Sequence, residues 1–190
     1  SDVYKRQDWD YAYSVVQTSD GGYAIAGVTA SYGAGNGDFW LVRTDSNGNA
    51  LWNKTYGGTN VDAAFSVVQM SDGGYALAGY TYSYGAGNSD FWLVKTDTNG
   101  NELWNKTYGG TNPDEAYSIV QTSDGGYALA GPTSSYGAGW DFWLVKVDES
   151  GVIPEFPSNI VPVVLMITVT LTIVLVKKKK NRDCAGDIPS

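Results

Sequence analysis

The chain contains no histidine, and its single cysteine, Cys184, falls within the last seven of 190 residues. These absences exclude a metal site of the His/Cys kind, a catalytic centre that depends on either residue, and an intramolecular disulfide. Without cysteine pairs to place, cysteine usage neither supports nor opposes secretion. Positive charge is scarce too: between Asp8 and Asn159 there are 17 acidic and five basic side chains, a net of −12 inside an overall −8. An acidic body of this kind repels polyphosphate, so nucleic acid is not among the expected partners. What the sequence does have is 24 Gly, 14 Tyr, seven Trp and a 43% hydrophobic content. That is enough for a real core, and of a composition that favours β-strands joined by tight turns.

Three segments align with little editing. "YSVVQTSDGGYAIAGVTASYGAGNGDFWLVRTDSNGNALWNKTYGG" begins at Tyr13, "FSVVQMSDGGYALAGYTYSYGAGNSDFWLVKTDTNGNELWNKTYGG" at Phe65, and "YSIVQTSDGGYALAGPTSSYGAGWDFWLVKVDESG" at Tyr117, a period of 52 residues. The repeats are placed at residues 8–60, 61–112 and 113–151. Each unit reads as four short strands, SVVQ, YALAG, FWLVK and LWNKTY. The first two are joined by Ser-Asp-Gly-Gly and the last two by Asp-x-Asn-Gly-Asn, turn residues that accept positive φ or bond nearby amides. Near-continuous apolar runs such as Phe91, Trp92, Leu93 and Val94 suit sheets buried on both faces.

Four antiparallel strands in a unit of this length make the blade of a β-propeller, because one such unit cannot bury its apolar faces alone. The alternative is an open β-solenoid, whose repeat is usually about 20–30 residues. Since propellers typically close with about four to eight blades, three repeats form an incomplete ring. The fold class expected is therefore all-β, a propeller-like array of four-stranded blades, with a helix following it. Residues 1–7 lie outside the repeat register; "DVYKRQ" resembles the translated end of a sequencing adapter and is read as an artefact.

The motifs "SDGGYALAG", "DFWLVKTD" and "WNKTYGG" resemble the β-propeller-type modules that occur in tandem in surface proteins of archaea and bacteria, over residues 8–150. Members of that group often carry names such as endoglucanase or quinoprotein-like, which follow fold more than chemistry. A second resemblance follows the repeats: in the linker 152–159, "IPEFPS" is followed by an apolar segment and a basic cluster. This is similar to the PEF-type carboxy-terminal sorting signal of exported archaeal proteins. It carries over to Pro154, Glu155 and Phe156 and implies an archaeosortase-type processing enzyme as a partner.

The same tail has a physical reading of its own. Residues 160–176 carry no charge, and their only polar side chains are Thr168, Thr170 and Thr172, which can bond back to helix carbonyls. As a helix this segment reaches roughly 26 Å, near the lower limit for crossing a membrane. Lys177, Lys178, Lys179 and Lys180 follow as a stop-transfer anchor in a basic tail, 177–190, which puts the repeats on the outer side. The expected location is thus the cell surface, with the carboxy terminus cytoplasmic unless it is processed. Cys184 reads as a solvated cysteine, acylation being the alternative.

Candidate chemistry is mostly repeated, which argues for structural roles. Asp20, Asp72 and Asp124 occur once per turn, so turn chemistry accounts for them better than a glycosidase pair does. Asp10, Glu102, Glu115 and Glu149 stand out as acids that break the repeat. "TSDGG" resembles part of the Asp-box turn of sialidase-type propellers, a structural motif there. The loops at Asp45 and Asp97 gather oxygen donors that could hold Ca²⁺, without the acidic twelfth residue of an EF-hand; a plain hairpin turn is favoured and no cofactor is expected. Trp40, Trp92 and Trp143 lie within apolar strands and read as packing. Tyr32, Tyr84 and Tyr136, in the "SYGAG" loops, are the ligand-binding candidates, since aromatic faces stack on sugars. Asn53 and Asn105 head "NKT" glycosylation acceptors.

These observations point to an exported, membrane- or surface-anchored repeat protein that acts as a non-catalytic binding or adhesion module for a polysaccharide or a surface protein. Two other classes stay open: a fragment of an extracellular carbohydrate-active enzyme of endoglucanase-like propeller type, and a structural component of the cell envelope.

Overall fold

The computed structural model describes residues 9–155. The leader 1–7, Phe156, the span 160–176, Lys177, Lys178, Lys179, Lys180 and the rest of the tail lie outside the described residues. Within them the chain is all-β, with eleven strands in three antiparallel sheets and no helix. The first sheet holds β1 (Asp10–Gln17), β2 (Tyr23–Thr29), β3 (Asp38–Thr44) and β4 (Ala50–Tyr56) in sequential order. The second repeats it with β5 (Asp62–Gln69), β6 (Tyr75–Thr81), β7 (Asp90–Thr96) and β8 (Glu102–Tyr108). The third has β9 (Ser118–Gln121), β10 (Tyr127–Thr133) and β11 (Asp141–Val147).

The strands and hairpins lie where the turn chemistry predicts them. In the second sheet, Gly73 and Gly100 close the two hairpins at φ 85° and 73°, a region that an L side chain rarely adopts. The third sheet departs from expectation: it has three strands rather than four. Its sequence after Gly151 is Val-Ile-Pro-Glu instead of a copy of Leu-Trp-Asn-Lys-Thr-Tyr, and among the described residues no strand pairs with the free edge of β11.

Alternation within each strand sends side chains to both faces of a sheet, and the second sheet uses both. On one face Ala64, Val67, Tyr75, Leu77, Trp92 and Val94 pack against Ala24, Ala26, Phe39, Leu41 and Tyr56 of the first sheet. On the other, Ala76, Ala78, Phe91, Leu93 and Tyr108 pack against Ile119, Tyr127, Leu129, Val145 and Val147 of the third. Residues 91–94 are accordingly all buried, as the unbroken apolar run predicts. Each large side chain so buried contributes about 1.5–3 kcal/mol.

Several hydrogen bonds recur in both interfaces. The Ser14 hydroxyl accepts from Val67 N at 3.2 Å, and that of Ser66 from Ile119 N at 3.3 Å. Ser19 N donates to Gln69 Oε1 at 2.8 Å, and Ser71 N to Gln121 Oε1 at 3.3 Å. The Tyr56 and Tyr108 hydroxyls donate to the Gly100 and Gly151 carbonyls at 2.7 and 2.8 Å. The first strands lie together in this arrangement: β5 touches β1, β2 and β3, and β9 touches β5 and β6.

Candidate binding surface

The residues singled out in the sequence separate into different settings. Tyr32, Tyr84 and Tyr136 are half-exposed, and each lays its ring on the tryptophan of its own repeat, with centroids 5.9 Å from Trp40, 5.4 Å from Trp92 and 5.0 Å from Trp143. The Tyr84 and Tyr136 hydroxyls donate to the Gly57 and Gly109 carbonyls at 3.0 and 3.1 Å, so these rings offer a face rather than a free hydroxyl. The tryptophans also bridge sheets, Trp92 meeting Phe39 at 4.5 Å and Trp143 meeting Phe91 at 4.8 Å.

Asn53 and Asn105 lie exposed on β4 and β8, the edge strands of their sheets. Their side-chain oxygens accept from Trp40 Nε1 and Trp92 Nε1 at 3.4 and 3.2 Å. Pro154 and Glu155 are exposed at the end of the described residues.

The recurring acids have structural partners. Asp20, Asp72 and Asp124, each in the turn between the first two strands of its sheet, pair with Arg43, Lys95 and Lys146 on the third strand of the same sheet. Arg43 is buried and also donates to the Tyr75 hydroxyl at 3.0 Å, tying the first sheet to the second. In the Asp45 loop one carboxylate oxygen accepts from Asn47 N and Asn49 N at 2.9 and 2.8 Å, and the other from Asn49 Nδ2 at 2.8 Å. The Asp97 loop repeats this. The bonds to the Asn49 and Asn101 side chains lead the interactions that hold both carboxyls below their usual range. This is the geometry of a hairpin turn that satisfies its own acid.

Asp10 does not break the repeat. It is the counterpart of Asp62 and Asp114, 52 residues apart, and all three bond the same partners: Thr29 and Ser31, Thr81 and Ser83, Thr133 and Ser135. Asp62 and Asp114 also accept from Gly58 N and Gly110 N at 2.8 and 2.9 Å, stitching the chain between sheets to the start of the next. Asp38 and Asp90 are buried nearby, each with one carboxylate oxygen that has no hydrogen-bond partner. Burial is the leading cause of the upward shift of both carboxyls. Of the remaining acids, Glu102 accepts from Asn105 Nδ2 and Glu115 from the Tyr117 hydroxyl, both at 2.7 Å. Among the described residues no three His, Cys, Asp or Glu side chains group as a metal site.

A further exposed feature is one that the sequence reading missed. In β1 the pairing register shifts between Ala12 and Ser14, and in β5 between Ala64 and Ser66, leaving Tyr13 and Phe65 as bulged residues outside the ladder. Their rings lie 4.8 Å apart, and Phe65 meets Tyr117, the same position in the third repeat, at 5.1 Å. Trp9 and Tyr11 extend this row on one side, and Tyr80 and Tyr82 flank it. Trp9, Tyr11, Tyr13, Tyr82 and Tyr117 are all exposed. Between them opens a cleft of ≈ 300 Å³ lined by Trp9, Tyr11, Tyr13, Val28, Val61, Ala63 and Tyr80.

The hydrogen bond to Glu115, followed by burial, pushes the Tyr117 hydroxyl up to about 12; burial, followed by the charge of Glu115, does the same to Tyr80. An aromatic residue directly before each SVVQ or SIVQ strand, out of step with its alternation, is the sequence signal for this row. No family model matches the chain, and no curated protein matches it.

Proposed function

We propose that this chain is a non-catalytic binding module attached to the cell surface, that its three sheets are blades of a β-propeller, and that the aromatic row along their first strands takes the sugar rings of a polysaccharide. The observation that carries this reading is the continuous contact of Tyr13, Phe65 and Tyr117 across three sheets, with exposed ring faces beside a cleft. Aromatic faces stack on the apolar faces of sugars, while tyrosine hydroxyls and a carboxylate at the rim supply directional bonds. Tyr32, Tyr84 and Tyr136 offer similar faces, but each is paired with its own tryptophan instead of joining a shared surface.

The propeller reading is supported by first strands that lie together and by interfaces that recur with the repeat. Attachment is supported by the uncharged segment 160–176 with lysines behind it, and by the Pro154-Glu155-Phe156 signal, which would deliver the chain to a processing enzyme. In that setting Asn53 and Asn105 are open to glycosylation.

The test is calorimetric titration of the full chain with a panel of soluble polysaccharides. Replacing Tyr13 and Tyr117 together by Ala is expected to weaken binding roughly tenfold, since each ring contributes about 0.5–1.5 kcal/mol. Binding that survives this change but is lost with Tyr32, Tyr84 and Tyr136 all replaced by Ala moves the site to the loops. Hydrolysis of the polysaccharide sinks the non-catalytic reading.

A further inference from the structure

The third sheet turns to solvent a face that the other two sheets bury. Phe39 and Phe91 are 0% exposed, each covered by the next sheet, whereas their counterpart Phe142 is 79% exposed; Leu41 and Leu93 are 0% exposed against 57% for Leu144. An apolar hollow of ≈ 430 Å³ lies beside Phe142, floored by Ala130, Gly131 and Pro132.

At the other end of the stack the first sheet exposes the complementary face. Val67 and Ile119, which cover the preceding sheet in the two internal interfaces, are 2% and 3% exposed, while their counterpart Val15 is 61% exposed. Ala64 and Ala116 are fully buried and Ala12 is exposed. One chain thus carries both halves of a third copy of an interface that it already makes twice.

We propose that a second copy of this chain covers these faces, the third sheet of one copy packing on the first sheet of the other in the register of the internal interfaces. In that register Phe142 meets the other copy's Trp40, as Phe91 meets Trp143. The Ser118 hydroxyl accepts from the other copy's Val15 N, as Ser66 does from Ile119. Packing of this head-to-tail kind either closes on itself or polymerises. The face-to-face contact rests only on the repeat and not on the propeller reading.

The test uses the full chain in detergent micelles, with Cys184→Ser and the pair Val15→Cys and Ser118→Cys. Mild oxidation is expected to give a species of twice the chain mass that neither single cysteine substitution gives through a 15–118 bond. Without the added cysteines, Phe142→Asp is expected to raise the dimer dissociation constant at least about tenfold, because it places an unpaired charge in the contact. Its melting midpoint as a single copy is expected to stay that of the parent, Phe142 being exposed there. A disulfide-linked ladder of higher multiples also supports the contact, as its open head-to-tail form. A monomer under oxidising conditions overturns the contact. So does a dimer that forms no 15–118 disulfide and survives Phe142→Asp, an outcome that assigns association to the apolar segment 160–176.

Discussion

The second and third sheets are nearly the same sequence in different surroundings. "GGYALAG" and "DFWLVK" occur in both, yet Phe91 and Leu93 are fully buried where Phe142 and Leu144 are exposed. Among the described residues the second sheet has a neighbour on each face and the third on one. An apolar pattern therefore states what a strand is able to bury, and its neighbours decide what it does bury. A residue-by-residue reading of hydrophobicity cannot tell the two sheets apart, because the difference lies outside both of them.

The sharpest way to break the comparison is to truncate the same residue in both sheets. Phe91→Ala is expected to cost about 3–5 kcal/mol, since it removes a fully enclosed ring and leaves a cavity. Phe142→Ala is expected to cost less than about 1 kcal/mol when the chain is a single copy, because the ring leaves water only in part. Denaturant titrations at low chain concentration check both values, and equal costs would show that the exposed face is covered within one chain.

A smaller effect is expected at the acids that begin each repeat. Asp62→Ala leaves Thr81, Ser83 and Gly58 N without their acceptor in a buried site and is expected to cost about 3 kcal/mol. Asp10→Ala, at the exposed counterpart, is expected to cost about 1 kcal/mol, since water can replace the lost acceptor. Thermal melts of the two variants, run side by side, order them.

The smallest effect is in the pH dependence. Burial raises Asp90, so the folded state favours its protonated form; that contribution is fully present below the ordinary carboxylate range and is lost as pH rises through the raised folded value. Asp90→Asn is therefore expected to raise the melting temperature near pH 7 and to leave it unchanged at pH 3. Asp45 has the opposite sign: its carboxyl is lowered chiefly by Asn49, so its contribution is present above the ordinary range and lost on acidification. Asp45→Asn should then destabilise most near pH 7, and less as pH falls below the ordinary carboxylate range toward the lowered folded value. A shared sign at the two sites would show that burial does not govern Asp90.

The strands and turns were legible because they rest on short-range chemistry. Ser-Asp-Gly-Gly and Asp-x-Asn-Gly-Asn place positive-φ glycines where hairpins close, and alternation between them marks the strands. The acids of those turns were read as structural, and their partners are amides and side chains of their own turns together with Arg43, Lys95 and Lys146 on the third strand of each sheet. The aromatic row was not legible, because Tyr13 and Phe65 reach it through bulges that pairing with β2 and β6 creates. Nor was the place of Asp10 in the repeat, because its bonds to Thr29 and Ser31 span 19 and 21 residues.

By itself the sequence determined the three-fold period, the all-β class, the turn positions and the excess of acid, since each depends on neighbours in the chain. The tertiary structure decided which copy of each repeated residue is buried, which rings meet across sheets, and which two faces have no covering sheet among the described residues. These follow from what stacks on what, and a residue repeated every 52 positions carries no mark of where in the stack it stands.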